Sequence, residues 1–192
     1  MRDGRPVVLP TDTVYGLCAD PDREAPVLEI YRMKGRPVGQ PCALLAKDVE
    51  YLLELVPELH GRPATLARAL LPGAYTLILP NPGRRYRWLT GSSPETIGVR
   101  VPELTGPGAE VVERVGAVVA TSANLHGGSE ARMLEEVPVE IRAGAAAVVD
   151  GGELPGTPST VLDLTGSEPR VVREGAVPAA EALERAAAAF DR

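Results

Sequence analysis

Short β-branched runs recur along the chain, and their spacing is the feature that most restricts its fold. Such runs are typical of strands when Gly, Pro or Asp residues bound them. We predict strands at residues 7–9, 76–79, 97–101, 118–120, 147–149, 159–162 and 171–172. Helical periodicity between them predicts helices at residues 23–33, 49–55, 64–71, 108–115 and 178–190. This arrangement predicts an α/β domain with a twisted mixed sheet and flanking helices.

The order of these elements is not a regular β-α-β alternation, because two strand-to-strand connections occur, at residues 80–96 and 149–173. We therefore do not predict a Rossmann fold. No GxGxxG follows the first strand, and no GxxxxGK[ST] occurs in the sequence. A nucleotide bound by this chain would be held without either standard phosphate loop.

Composition supports a globular protein and excludes several classes. The 192 residues are 44% hydrophobic and 24% charged, which predicts one domain over residues 1–192. The net charge of −6 argues against nucleic-acid binding by bulk charge, although a local basic patch is compatible with it. Two Cys and two His residues make a disulfide framework or a zinc site a poor interpretation. The absence of a secretory signal or an 18-residue apolar run predicts a cytoplasmic protein and no membrane contact.

The segment Pro10-Thr11-Asp12-Thr13-Val14-Tyr15-Gly16-Leu17 places two hydroxyls around a carboxylate directly after a predicted strand. Side chains of this type form local turns between strands. The same hydroxyls would also suit a small polar ligand beyond the strand end. Both interpretations are open at this point.

A second segment, Lys34-Gly35-Arg36-Pro37, ends a predicted helix. Basic residues and a Gly at this position are ordinary features of a helix C-terminus. Only two of the 20 basic residues are lysines, however, and one of them lies here beside an arginine. A Lys and an Arg on a stiff loop also suit a polyphosphate, the Lys as a point charge and the Arg as a fork.

Further polar groups follow other predicted strands. Ser122-Ala123-Asn124 comes after the strand at 118–120, where it would either cap a helix or meet a ligand. Arg100 lies between two valines, so its side chain points to the opposite face of the strand. An Arg there is usually solvated, but it would also suit a pocket that grips a carboxylate. Arg173 is another cation at a strand end.

The loop Arg84-Arg85-Tyr86-Arg87-Trp88 combines three arginines with two aromatic residues. Such a set would contact nucleic acid through phosphate pairing and base stacking. A solvated turn with a partly anchored Trp88 explains it equally well and is the more common case.

Taken together, these segments resemble the YrdC/TsaC family of L-threonylcarbamoyladenylate synthases. The resemblance runs through nearly the whole chain and through seven segments in the family's order. They are residues 10–17, 34–37, Pro72-Gly73-Ala74-Tyr75-Thr76-Leu77, 98–102, 122–124, Pro158-Ser159-Thr160-Val161 and 173–175. Any one of them is a weak motif, whereas seven in order make chance similarity implausible. The resemblance implies a YrdC-like fold with a concave ligand-binding surface.

The resemblance also implies the reaction and its residues. It implies that L-threonine, bicarbonate and ATP are joined into threonylcarbamoyl-AMP, with release of pyrophosphate, for threonylcarbamoyladenosine in tRNA. Lys34 and Arg36 match catalytic and ATP-binding positions, and Mg²⁺ would be carried with ATP rather than by protein ligands. The other implied ATP contacts are Thr96, Ser122, Asn124 and Arg173. The implied threonine contacts are Thr13, Arg100 and Ser159.

Two features depart from the family pattern. The chain begins almost at the first strand, where the family usually has a preceding helix, and Gln40-Pro41-Cys42-Ala43-Leu44-Leu45 differs from the usual sequence. Its length resembles the short, single-domain form. The expected partners are the three substrates and downstream tRNA threonylcarbamoyl transferase proteins, with direct tRNA contact left open. A non-catalytic RNA-binding paralogue of the same fold is the alternative, and a carbamoyl-transfer domain of hydrogenase maturation is a third interpretation.

Overall fold

The computed structural model describes residues 4–190, which form eight strands, seven α-helices and one short 3₁₀-helix at Leu134–Glu136. The strands are β1 Val7–Pro10, β2 Tyr15–Ala19, β3 Ala43–Ala46, β4 Tyr75–Pro80, β5 Thr96–Arg100, β6 Ala117–Ser122, β7 Thr160–Asp163 and β8 Arg170–Arg173. The helices are α1 Glu24–Lys34, α2 Val49–Leu55, α3 Arg62–Leu70, α4 Arg87–Thr90, α5 Gly106–Val115, α6 Val139–Gly144 and α7 Ala179–Phe190.

All eight strands belong to one sheet in the order β1-β2-β6-β3-β5-β4-β7-β8. The pairs β3–β5 and β4–β7 are parallel, and the other neighbours are antiparallel. The predicted α/β class with a mixed sheet is therefore confirmed. Of the two predicted strand-to-strand connections, the one at residues 80–96 contains the short helix α4 between β4 and β5. In the other, at residues 149–173, β7 is joined directly to β8.

The two faces of the sheet are packed differently. One face carries the large core, in which Leu17, Leu44, Leu77 and Val119 are fully buried among residues of the helices. A smaller cluster lies on the opposite face, where Val112 of α5 and residues of β1, β2, β3 and β6 pack together. The rest of this second face, which we call the open face, carries few large apolar side chains. This leaves room for a cleft.

The first predicted helix ends as its sequence indicates. Gly35 follows α1 in the left-handed conformation at φ 60°, and its N–H donates to the Arg32 carbonyl at 3.1 Å. A residue with no Cβ adopts this conformation without steric cost. The chain therefore turns sharply after Lys34 and carries Arg36 toward the open face of the sheet.

One predicted strand is wrong and two strands were not predicted. Residues 147–149 form only an isolated parallel bridge between Val8 and Val148. Their backbone pairs with β1 through two bonds, from the Val8 N–H to the Ala147 carbonyl and from the Val149 N–H to the Val8 carbonyl, and the residues that follow are irregular. The missed strands β2 and β3 read YGLCA and ALLA, and neither sequence is rich in β-branched residues. Within residues 4–190, no helix has both the length and the apolar character needed to cross a membrane.

Candidate functional site

A cavity of about 450 Å³ lies on the open face of the sheet. Small or hydroxyl-bearing residues from the five neighbouring strands β2, β6, β3, β5 and β4 form much of its floor, and Arg36, Glu130 and Arg173 also line it. Gly16, Ala43 and Gly98 belong to this floor. Because these side chains are so short, the sheet surface is concave here.

Strand β4 shows how the sequence builds the floor. Leu77 and Leu79 are fully buried in the core, whereas the alternate residues Thr76 and Ile78 line the cavity. A strand places successive side chains on opposite faces, so its core residues fix which residues face the cleft. Strand β5 follows the same rule, with Val99 in the core and Arg100 in the cavity wall.

The turn after β1 has the features expected of a local turn, and its hydroxyls also lie where a ligand could meet them. The Thr11 hydroxyl donates to the Val14 carbonyl at 2.6 Å and accepts from the Val14 N–H at 3.3 Å, which closes the turn into β2. Thr13 is 1% exposed, and its Oγ1 lies 3.2 Å from that of Thr11. Both threonines line the cavity. The segment is thus a structural turn that also presents hydroxyls to the cavity.

Arg100 is held by a buried ion pair. Its Nη2 donates to Asp12 Oδ1 at 2.7 Å, and the two side chains are only 10% and 9% exposed. The Arg100 Nε and Asp12 Oδ2 atoms are also buried, and they have no hydrogen-bond partner in the described structure. Arg100 is therefore not a solvated strand residue. Its guanidinium lines the cavity, where a guanidinium fork would suit a carboxylate.

Ser159 links three strands at the far side of the cavity. Its Oγ lies 2.7 Å from Oγ1 of Thr76 on β4. Arg173, at the end of β8, donates to the Ser159 carbonyl at 2.8 Å. This places a hydroxyl pair and a guanidinium side by side on the cavity wall.

Lys34 does not line the cavity, because its ammonium is turned into the protein. Its Nζ donates to the Ser122 carbonyl at 2.5 Å, to the Asn124 carbonyl at 2.6 Å and to Asn124 Oδ1 at 2.8 Å. An ammonium has three N–H bonds, so all of them have acceptors. Burial lowers the pKa of Lys34 to about 8, with a further contribution from Arg36 and an opposing one from Glu130.

Asn124 is part of the same network rather than of the cavity wall. Its Oδ1 accepts from the Ser122 hydroxyl at 2.7 Å, and its Nδ2 donates to the Gly128 carbonyl at 2.5 Å. No described helix begins at residues 122–133, so the segment does not cap one. Lys34 and Asn124 together fix the end of β6 and the turn after it, and Ser122, the last residue of β6, lines the cavity.

Arg36, unlike Lys34, extends from the end of α1 into the cavity lining. Its Nη1 donates to Thr121 Oγ1 at 2.9 Å, and its Nη2 donates to the Pro41 carbonyl at 2.6 Å. The Cys42 thiol lies 3.9 Å from Nη1, and burial raises its pKa while Arg36 opposes that shift. The guanidinium is therefore held rigidly at the rim, beside Thr121 and Ser122.

The structure brings seven of the nine predicted site residues to this one cavity. They are Thr13, Arg36, Thr96, Arg100, Ser122, Ser159 and Arg173. The polar cavity residues outside that predicted set include Thr76, Thr121 and Glu130. Thr76 could have been predicted from the sequence, since it alternates with core leucines within β4. Glu130 could not, because it lies in an irregular segment with no periodic pattern.

Three side chains of the arginine-rich loop at residues 84–88 bind to other parts of the protein. Arg84 pairs with Glu95 at 3.5 Å and Arg85 with Glu58 at 2.6 Å, while the Trp88 indole donates to the Pro21 carbonyl at 2.8 Å. These contacts favour the structural interpretation of the loop. Among residues 4–190 there is no group of three or more His, Cys, Asp or Glu side chains arranged to hold a metal.

The sheet and its cleft define an α/β protein with a polar cavity on the open face of a mixed sheet. The Sua5/YciO/YrdC family model, described as telomere recombination, matches residues 1–175. The chain belongs to this family, which confirms the resemblance found in the sequence.

Individual relatives agree with this assignment. A threonylcarbamoyl-AMP synthase of Pyrococcus abyssi (strain GE5 / Orsay) is 35% identical over 184 residues, which cover 94% of this chain and 53% of the relative. The solved structure of P. abyssi Sua5 complexed with L-threonine gives a TM-score of 0.84 at 33% identity, covering 96% of this chain and 54% of that one. The structure of E. coli YciO gives 0.78 at 30% identity, with 91% and 85% coverage. The chain spans about half the length of the first curated relatives that it matches.

Proposed function

We propose that this chain makes threonylcarbamoyl-AMP from L-threonine, bicarbonate and ATP and releases pyrophosphate. The product would serve the threonylcarbamoyladenosine modification of tRNA, passing to downstream transferase proteins in the cytoplasm. The names of the similar synthases and the solved complex of P. abyssi Sua5 with L-threonine support this proposal.

The observation that carries the proposal is one cavity with two chemically different ends. At one end, Arg36 stands beside the hydroxyls of Thr121 and Ser122, a set suited to phosphate oxygens. At the other end, Arg100 and Ser159 offer a guanidinium fork and a hydroxyl, which suit an amino acid with a carboxylate and a side-chain hydroxyl. A cavity of about 450 Å³ brings both sets of groups within reach of one bound assembly.

The proposed reaction needs positioning and charge stabilisation rather than a protein nucleophile. The neutral threonine amine adds to the carbon of bicarbonate, and the C–O bond to its hydroxyl breaks with loss of water to give a carbamate. An oxygen of this carbamate attacks the α-phosphorus while pyrophosphate leaves. Charge grows on the phosphate oxygens, and Arg36, held at the rim by Thr121 and the Pro41 carbonyl, would stabilise it. Mg²⁺ carried with ATP supplies further neutralisation of the phosphates when bound.

Lys34 would contribute chiefly by organising the site. Its three hydrogen bonds fix Ser122 at the end of β6 and Asn124 in the turn after it, so its buried positive charge lies against these two residues. A preorganised positive charge favours developing negative charge even without direct contact. In this proposal Arg36 meets the phosphates, whereas Lys34 positions the residues that do so.

Pyrophosphate release is the direct test. The chain would be incubated with Mg²⁺, ATP and bicarbonate, with L-threonine or with serine or glycine as controls. Release that depends on both threonine and bicarbonate would support the synthase. Tight RNA binding without threonine-dependent release would instead support the RNA-binding paralogue, for which the paired arginines Arg84 and Arg85 offer little free charge.

A further inference from the structure

Glu130 is a carboxylate in a cavity otherwise rich in guanidinium groups. Among the described residues that line the cavity it is the only acidic one, and Arg36, Arg100 and Arg173 line the same space. Its Oε2 atom is buried and has no hydrogen-bond partner in the described part of the chain. No motif of the sequence and no step of the proposed reaction has used this residue.

A buried carboxylate oxygen without a partner is costly, and buried polar groups in folded proteins almost always have one. Oε1 and Oε2 accept hydrogen bonds only, so the missing partner must be a donor, and a cationic donor would bind best. Phosphate oxygens do not meet this requirement, because two acceptors of like charge repel each other. The position therefore selects for a positively charged part of a ligand.

Glu130 shares the cavity with the groups of its amino-acid end. Glu130, Arg100 and Arg173 all line it. The charge of Glu130 also opposes the lowering of the pKa of Arg173 by desolvation, as it does for the pKa of Lys34. Arg173 also donates to Ser159. A ligand that pairs with Arg100 and contacts Ser159 thus occupies the same cavity as Glu130.

An α-amino acid is a zwitterion and needs one partner of each sign. Arg100 and Glu130 line the cavity with one charge of each sign, and each has one buried polar atom without a partner in the described structure. We infer that Glu130 binds the α-ammonium group of the amino-acid substrate and makes the cavity selective for α-amino acids over the corresponding hydroxy acids. This inference rests on the proposed function and adds to it the residue that recognises the amine.

The experiment compares wild type with Glu130→Gln, which keeps the shape of the side chain and removes its charge. Binding of L-threonine and of 2,3-dihydroxybutyrate, which carries a hydroxyl in place of the ammonium, would be measured by calorimetry. We expect Glu130→Gln to weaken threonine binding by about ten-fold or more, the scale for a charged hydrogen bond, and to leave the hydroxy acid unchanged. Glu168→Gln, which removes the same charge from an exposed turn, is the matched control and should bind as wild type.

Each other outcome overturns the inference in a distinguishable way. If wild type binds threonine and Glu130→Gln binds it within two-fold, Glu130 is not the ammonium partner, while the proposed function stands. If Glu130→Gln instead changes the Mg²⁺ concentration needed for ATP binding and leaves threonine unaffected, the carboxylate serves the metal. If wild type binds no threonine at all, the proposed function and this inference fail together. Thermal unfolding of both variants checks that they fold as wild type does.

Discussion

The buried pair between Asp12 and Arg100 offers the sharpest test of how the cavity is held together. The two side chains are 9% and 10% exposed, and Arg100 Nη2 lies 2.7 Å from Asp12 Oδ1. Asp12→Asn keeps an oxygen within reach of Arg100 but removes the negative charge. The guanidinium then remains buried without a counter-charge.

The expected magnitude follows from this geometry. Breaking a buried ion pair by removing one partner typically costs about 3–5 kcal/mol, since the remaining charge is uncompensated. The amide oxygen introduced by the substitution would retain one hydrogen bond, so we expect Asp12→Asn to lower the free energy of unfolding by about 2–3 kcal/mol. The double variant Asp12→Asn/Arg100→Met has neither charge, so no buried charge is left without a partner. We expect a coupling energy of about 2 kcal/mol in the double-mutant cycle.

Urea unfolding of wild type, both single variants and the double variant measures this cycle. The circular dichroism signal at several urea concentrations gives the midpoint and the slope for each protein. Arg170→Met, which removes an exposed guanidinium paired with Asp163, serves as a control and should change stability by less than about 1 kcal/mol. A coupling energy below about 0.5 kcal/mol would refute the reasoning that the pair is mutually dependent.

Three further predictions concern single residues. Arg100→Lys should raise the KM for threonine by about ten-fold with a smaller effect on kcat, because Lys lacks the fork; an unchanged KM in the pyrophosphate assay would contradict the assignment. Because folding lowers the pKa of Lys34 from 10.5 to about 8, the folded chain binds fewer protons than the unfolded chain between these values. Lys34 thus makes the free energy of unfolding rise with pH in that window, and urea unfolding of Lys34→Met at about pH 7.5 and about pH 9.5 should lack this rise. Thr160→Val should cost about 2–4 kcal/mol, since the buried hydroxyl donates to the Val177 carbonyl at 2.6 Å and accepts two backbone N–H bonds; Thr160→Ser should retain most of the stability in the same assay.

The sequence predicted those strands whose β-branched residues alternate or cluster, and it failed where tertiary packing decides the structure. Strand β3, with the sequence ALLA, is composed of good helix formers. It is a strand because it lies between β5 and β6 and its backbone pairs with both. Residues 147–149 show the opposite case, since their β-branched sequence forms only one bridge at the edge of the sheet. Local preference cannot detect either outcome.

The candidate site was predictable as a set of motifs but not in its orientations. The sequence identified Lys34, Arg36, Ser122 and Asn124 as a group, and the structure brings them together after α1 and β6. It could not show that Lys34 points into the protein while Arg36 points to the rim. That difference depends on the left-handed turn at Gly35, which separates the directions of the two side chains. The roles of the individual residues in ATP and threonine binding remain predictions.

The cleft itself follows from how the strands divide their residues between two faces. In β4 and β5 the large apolar residues Leu77, Leu79 and Val99 all point to one face, where the helices cover them. The residues at the positions between them do not contact this core, so their size and polarity can be set by the cavity on the other face. Thr76 and Gly98 at these positions leave space, and Arg100 adds charge. A larger apolar residue at position 98 would leave the core face unchanged and would fill the cavity floor, so the core and the cleft are encoded at alternate positions of the same strands.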